Sequence, residues 1–313
     1  MPGGKDTLLF YSELDNAETW RRALRAELPG AAFHVFPDMP DPAAVTAAVV
    51  WSPPEGFFAP LTNLRLIVNL GAGVDSLAAR RDLPDVPMVR LSDPAMVALM
   101  TSYVLFAVIR YARNFYVFEA AQREAIWHYI EPRPLSSVKV GVLGLGELGA
   151  AAARALSALS FDVMGWSRSP KHLPGIACVH GTEALDELIS EVEILVIMLP
   201  LTRSTKGLMD DARLRRMKPG AKLINVARGA IIDERALIAV LREGYLGGAT
   251  LDVFDREPLP DESPLWRMPN VLITPHLASI PVPESAAKVV AESIRRVARG
   301  EAPLHQVDPA RGY

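Results

Sequence analysis

Apolar and polar positions along this chain change period repeatedly. Short apolar runs alternate with stretches in which apolar residues recur at helical spacing. Residues 7–11 (TLLFY) suit a strand. Asn16 stands where a helix cap belongs, with Trp20, Leu24 and Leu28 on one face behind it and Pro29-Gly30 as the stop. Further strands are expected at 33–36, 47–51 (AAVVW), 64–70 (LRLIVNL) and 88–91, before a long helix over 94–118. A polar stretch with Pro132 and Pro134 then forms an extended lead-in to Val138. Beyond it the pattern predicts strands at 138–143, 162–166, 193–199, 221–226, 248–254 and 271–274, a helix at 234–243, and a last helix over 284–300. Repeated βα units imply parallel sheets with helices on both faces.

The stretch 138–149, VKVGVLGLGELG, stands out. Val138, Val140, Val142 and Leu143 have the composition of a strand buried on both faces. Gly144, Gly146 and Gly149 follow at G-x-G-x-x-G spacing, and 150–159 is rich in helix formers. Strand, glycine turn and helix in that order form the phosphate cradle of a dinucleotide site.

Composition narrows the class. The chain has 313 residues, 50% hydrophobic and 22% charged, with a net charge of -3. This suits two globular domains and argues against nucleic acid as a partner. One cysteine, Cys178, excludes an internal disulfide framework, and with His180 alone beside it makes no metal site. The opening residues lack the basic region and long apolar run of a secretory signal. The most apolar segment, 95–109, is shorter than the roughly 20 residues of a bilayer span and contains Thr101, Ser102 and Tyr103. It reads as a buried helix, and the expectation is a cytoplasmic protein without a membrane partner.

The second strand of a dinucleotide domain often ends in an acid that binds the ribose hydroxyls. Here that place holds Ser167, followed by Arg168, Ser169 and Lys171. A carboxylate would repel a 2'-phosphate, whereas a hydroxyl and two cations would accept one. The expected cofactor is therefore NADP(H), with NAD(H) possible. An ordinary solvated loop is the plainer alternative.

Three polar residues follow apolar strands at the edge where open α/β sheets bind ligands: Arg228, Glu257 and His276. Singly, each has a plain explanation: Arg228 could pair with Asp233 or Glu234, Glu257 could be loop charge, and His276 could be a polar cap. Together with a nicotinamide, they are the parts for reducing a 2-oxo acid.

The sequence resembles the D-isomer-specific 2-hydroxyacid dehydrogenase family, and within it the glyoxylate/hydroxypyruvate reductase A group. The likeness runs through NLGAGVD (69–75), VGVLGLGELG (140–149), GWSRSPK (165–171), LPLT (199–202), INVARGAIID (224–233), LDVFDREPLP (251–260), TPHLAS (274–279) and the ending VDPARGY. It implies a Rossmann dinucleotide-binding domain, residues 98–282, inserted into a flavodoxin-like substrate-binding domain made of 1–97 and 283–313. It also implies that His276 is the general acid, that Glu257 holds its imidazolium form, and that Arg228 polarises the carbonyl and grips the carboxylate. Ala72, Gly73 and Val74 would complete the carboxylate site through their backbone amides.

For the cofactor, the resemblance implies contacts from Gly144, Gly146, Glu147, Leu148 and Gly149, and from Ser167, Arg168, Ser169 and Lys171. Pro200, Leu201, Thr202 and Thr205 would line the nicotinamide side with Val226, Ala227, Arg228 and His276. Asp252 would meet the carboxamide, although a buried capping carboxylate would look the same. Trp51 resembles a substrate-pocket tryptophan with Met96 and Met100 nearby, although core packing accounts for all three at least as well. Ser102 stands where the family often carries glutamate, on a helix that usually contributes to a homodimer interface. The expected activity is NADPH-linked reduction of glyoxylate, hydroxypyruvate or similar small 2-oxo acids. The alternatives are an NADH-linked dehydrogenase of bulkier acids and a nucleotide-sensing relative without turnover.

Overall fold

The structure is a computed structural model and describes residues 6–39 and 41–308. The opening MPGGK and the end of VDPARGY, from Pro309 onward, lie outside the described residues. Contacts divide the chain into two units, one made of residues up to Met96 together with those from Ile280 onward, the other spanning Val97–Ser279.

The first unit begins with β1 (Thr7–Tyr11), α1 (Ala17–Glu27), β2 (Ala32–Val35), β3 (Ala47–Val50), β4 (Leu66–Asn69), the short α2 (Asp75–Ala78) and β5 (Met88–Arg90). The Asn16 side chain accepts a hydrogen bond from the Thr19 amide and caps α1 as its position predicts. The strands are parallel in the order β2-β1-β3-β4-β5, the flavodoxin-like arrangement. Every residue of β3 and β4 is buried, which explains their unbroken apolar runs.

The chain continues through α3 (Pro94–Ala112), α4 (Phe115–Arg123), β6 (Lys139–Leu143), α5 (Glu147–Ala158), β7 (Asp162–Ser167), β8 (Ala177–His180) and α6 (Thr182–Glu191). Then come β9 (Ile194–Ile197), α7 (Asp211–Arg216), β10 (Lys222–Asn225), α8 (Glu234–Arg242), β11 (Gly248–Leu251), β12 (Val271–Ile273) and α9 (Pro283–Ala298). The second unit holds a parallel sheet in the order β12-β11-β10-β9-β6-β7-β8. Counted from β6, this is the doubly wound dinucleotide order with one strand added at an edge. The order reverses between β6 and β9, and the glycine turn lies at that switch point, where such sheets bind ligands.

The last helix, α9, belongs to the first unit. Its Ala286, Ala287, Val290, Ala291 and Ile294 pack in one core with Trp20 and Leu24 of α1. Beyond it, the Val307 amide bonds to the Met88 carbonyl and extends the edge at β5.

Two expectations need correcting. The helix expected over 94–118 is broken, because Asn114 adopts φ 57°, a left-handed conformation that asparagine tolerates better than most residues. The sequence also showed no strand at β8, an edge strand with both end residues exposed and therefore without an apolar run. The most apolar helix, α3, has 19 residues, long and apolar enough by itself to cross a membrane. Its Val104, Ala107 and Val108 are fully buried in the core of the second unit.

Candidate active site

The glycine turn follows β6 directly. Gly144 has φ 106°, and a side chain there would also strike the Met198 carbonyl. A Cβ on Gly149 would lie 1.8 Å from the Gly144 carbonyl oxygen, so this glycine lets α5 start tight against the turn. Gly146 differs: a Cβ there would meet nothing within 4 Å. The first and third glycines are thus required by the protein's own packing, while the second faces open space at the start of a twelve-residue helix. That arrangement fits a pyrophosphate resting on the α5 N-terminus. Glu147 and Leu148 open the helix.

At the end of β7, Ser167 is buried and its hydroxyl donates to the Ser169 carbonyl at 2.8 Å. The serine therefore shapes the loop that carries Arg168, Ser169 and Lys171, all exposed. Register pairing puts His180 of β8 beside Ser167, a neighbour that the sequence does not signal because β8 carries no apolar run. On the other side of the switch point, the Thr205 hydroxyl donates to the Pro200 carbonyl at 2.6 Å and accepts from the Thr202 amide. Thr205 staples the loop that presents Pro200, Leu201 and Thr202.

His276 and Glu257 meet. Nδ1 of His276 lies 2.7 Å from one Glu257 carboxylate oxygen, and the other accepts the Phe254 amide at 2.9 Å. Burial raises the Glu257 pKa, but the bonds from His276 and Phe254 and the nearby charges of His276 and Arg228 outweigh it. The net effect holds the carboxyl below its usual value and keeps it ionised. His276 itself sits at φ 53°, a strained conformation for a non-glycine residue and one found often at functional sites.

That conformation is held from Asp252, which is almost wholly buried just beyond β11. Its carboxylate accepts the Thr274 hydroxyl at 2.6 Å and the Leu277 and Ala278 amides at 2.9 Å, while its carbonyl accepts the His276 amide. Asp252 thus caps this loop, with three donors from its own unit.

Arg228 is brought to the same edge by the β10 loop. Asn225, fully buried at the end of β10, donates to the Arg228 carbonyl at 3.0 Å and accepts the Ala227 amide at 3.1 Å. Val226 and Ala227 are buried. Next to Arg228, a Cβ on Gly229 would lie 1.8 Å from the Phe254 carbonyl carbon, so glycine lets this loop close onto the strand end that leads to Glu257. Asp233 accepts the Arg235 and Ala236 amides as the cap of α8.

In the first unit, residues 71–74 follow β4 and lead into α2, only four residues long. The side chain of Asn69, fully buried, donates to the Gly71 and Gly73 carbonyls at 2.9 and 3.0 Å and fixes the loop bearing Ala72, Gly73 and Val74. Trp51 lies against Gly71, half-buried. Met96 is buried in the core of the first unit and Met100 in that of the second, so both serve packing. Neither Asn69 nor Asn225 was singled out from sequence. Their signal is an amide ending an otherwise apolar strand.

The fold and this site define a class: the chain belongs to the D-isomer specific 2-hydroxyacid dehydrogenase family, whose NAD binding domain model matches residues 105–278. Among relatives, the glyoxylate/hydroxypyruvate reductase A of Serratia proteamaculans is 38% identical over 98% of this chain and 99% of its own length. The corresponding protein of Yersinia enterocolitica is 36% identical over the same shares. A D-isomer specific 2-hydroxyacid dehydrogenase from Xanthobacter autotrophicus, solved with NADPH and MES, is 55% identical and superposes with a TM-score of 0.97, covering 99% of this chain and all of that one. The NADPH-dependent glyoxylate/hydroxypyruvate reductase of Sinorhizobium meliloti, solved with NADP and sulfate, is 32% identical with a TM-score of 0.93 and the same coverage.

Proposed function

We propose that this protein is an NADPH-linked reductase of small 2-oxo acids of the glyoxylate and hydroxypyruvate kind. The carrying observation is the His276–Glu257 pair at 2.7 Å, built into the same sheet edge as the glycine turn. The second unit is the dinucleotide-binding domain and the first the substrate-binding domain. When bound, NADPH supplies a hydride to the carbonyl carbon. With Nδ1 held by Glu257, His276 delivers the Nε2 proton to the carbonyl oxygen, and the carboxylate stabilises the charged ring. Arg228 draws charge toward the carbonyl oxygen and grips the substrate carboxylate. In the first unit, the amides of Ala72, Gly73 and Val74, in the loop that Asn69 clamps, are that unit's candidate donors for a carboxylate.

Arg168 and Lys171 beside Ser167 favour the phosphorylated cofactor, a reading supported by the NADPH and NADP present in the similar structures. The family supports a homodimer, and so does exposed apolar surface on α3, on α4 and just after it: Phe106, Phe115, Ile126 and Trp127. The proposed location is the cytoplasm. Nicotinamide absorbance followed with NADPH or NADH and a panel of 2-oxo acids tests the function. Faster loss with NADPH and a small acid is expected; no loss with any acid would refute it.

A further inference from the structure

The loop bearing His276 is tied to α3 by a chain of hydroxyls whose role goes beyond holding the fold. Tyr103 of α3 and Thr274 share a hydrogen bond of 2.6 Å between their hydroxyls. The Thr274 hydroxyl donates its one hydrogen to the Asp252 carboxylate in a bond also of 2.6 Å, so Tyr103 must be the donor in the first bond. Burial pushes the Tyr103 hydroxyl up to about 12, and it therefore remains a donor across any ordinary assay range. Asp252 in turn accepts the amides of Leu277 and Ala278 and, through its carbonyl, that of His276. Every member lies in the second unit.

We propose that Tyr103 is a positioning residue for His276, acting through the hydroxyl of Thr274 and the carboxylate of Asp252. The Asp252 carboxylate can accept from several sides, and only the donors around it decide how it is turned. Two of its donors are amides of the loop it must hold, and these move with that loop. The Thr274 hydroxyl is the donor that can be anchored elsewhere, and Tyr103 is its anchor on a helix packed in the core. Because His276 is held at φ 53°, away from where a histidine relaxes, its loop needs such a fixed reference. Loss of the anchor lets the imidazole drift from the position in which it donates, and small misplacements are costly in rate. This role rests on the general-acid reading of His276.

The test uses the full chain as Tyr103→Phe, Thr274→Val, Thr274→Ser and the Tyr103→Phe/Thr274→Val pair. Measurements are kcat, KM for the 2-oxo acid, Kd for NADPH, and amide exchange over 274–278. We expect Thr274→Val to lower kcat by about tenfold and Tyr103→Phe by about three- to tenfold, with NADPH binding unchanged. Thr274→Ser should keep wild-type kcat, and the pair should be no slower than Thr274→Val alone, since both break one chain. Exchange at Leu277 and Ala278 should quicken in Thr274→Val and not in Thr274→Ser. Wild-type kcat in both Tyr103→Phe and Thr274→Val, or losses that multiply in the pair, would overturn the proposal. If the wild type reduces no 2-oxo acid, the general-acid reading fails instead. In that case unchanged exchange in Thr274→Val overturns the anchoring by itself.

Discussion

The Glu257 carboxylate spans two partners, the imidazole of His276 on one oxygen and the amide of Phe254 on the other. It is thereby fixed in place before it acts on the ring, and the field of Arg228 reaches it as well. One carboxylate thus links the segments that follow the neighbouring strands β11 and β12.

Replacing it with the neutral isostere, Glu257→Gln, should leave the fold intact and lower kcat by about a hundredfold, because the charged ring loses its counter-charge. Steady-state kinetics with NADPH check this. An unchanged kcat would leave Glu257 as loop charge.

The same residue sets a pH dependence of stability. Its pKa is lowered on folding from 4.5, so the stabilisation is complete above that value and disappears as pH falls through the lower folded value. Both side chains are 35% exposed, so the gap between wild type and Glu257→Gln at neutral pH should be no more than about 1 kcal/mol. Urea melts from pH 7 downward, about a pH unit apart, should show the gap closing below the usual glutamate range.

The glycine turn separates packing from binding. Gly149→Ala puts a Cβ into a backbone carbonyl and should cost about 3 kcal/mol or more of stability. Gly146→Ala meets open space, so its melting temperature should stay near wild type while NADPH affinity falls by about tenfold or more. Thermal melts and fluorescence titration distinguish the two.

The proposed function assigns cofactor choice to the loop after β7. Ser167→Asp places a carboxylate beside the expected 2'-phosphate, and Arg168→Ala removes a cation. Each should raise the KM for NADPH by about ten- to a hundredfold, the scale of one charge-assisted hydrogen bond, with a far smaller effect on NADH. Equal changes for both cofactors would mean that the loop does not read the phosphate.

Asn225→Ala removes the two side-chain bonds that Asn225 makes to the Arg228 loop. Stability should fall by about 2 kcal/mol through the groups left unpaired, and the KM for the 2-oxo acid should rise while NADPH binding holds. An unchanged KM would mean that Arg228 is held by other means.

Much of this molecule was legible in its sequence because buried parallel strands announce themselves. The runs LIVN in β4 and ILVI in β9 can hardly be anything else, and the glycine spacing fixed the nucleotide turn. The edge strand β8 carries no such run, and the break at Asn114 depends on one residue's tolerance of a left-handed backbone. Arg228, Glu257 and His276 could be chosen by their placement after apolar strands. The groups that hold them could not, since Asn225, Thr274 and Tyr103 are ordinary in sequence and acquire their roles only from long-range hydrogen bonds.

In the proposed reaction His276 supplies the proton as NADPH reduces a small 2-oxo acid. NADPH oxidation with glyoxylate and with hydroxypyruvate, by wild type and His276→Ala side by side at saturating cofactor, tests it most directly. The wild type should turn over, and kcat should fall by about a hundred- to ten-thousandfold in the variant, with NADPH binding retained. Equal turnover by the two proteins, or none by the wild type, would contradict it.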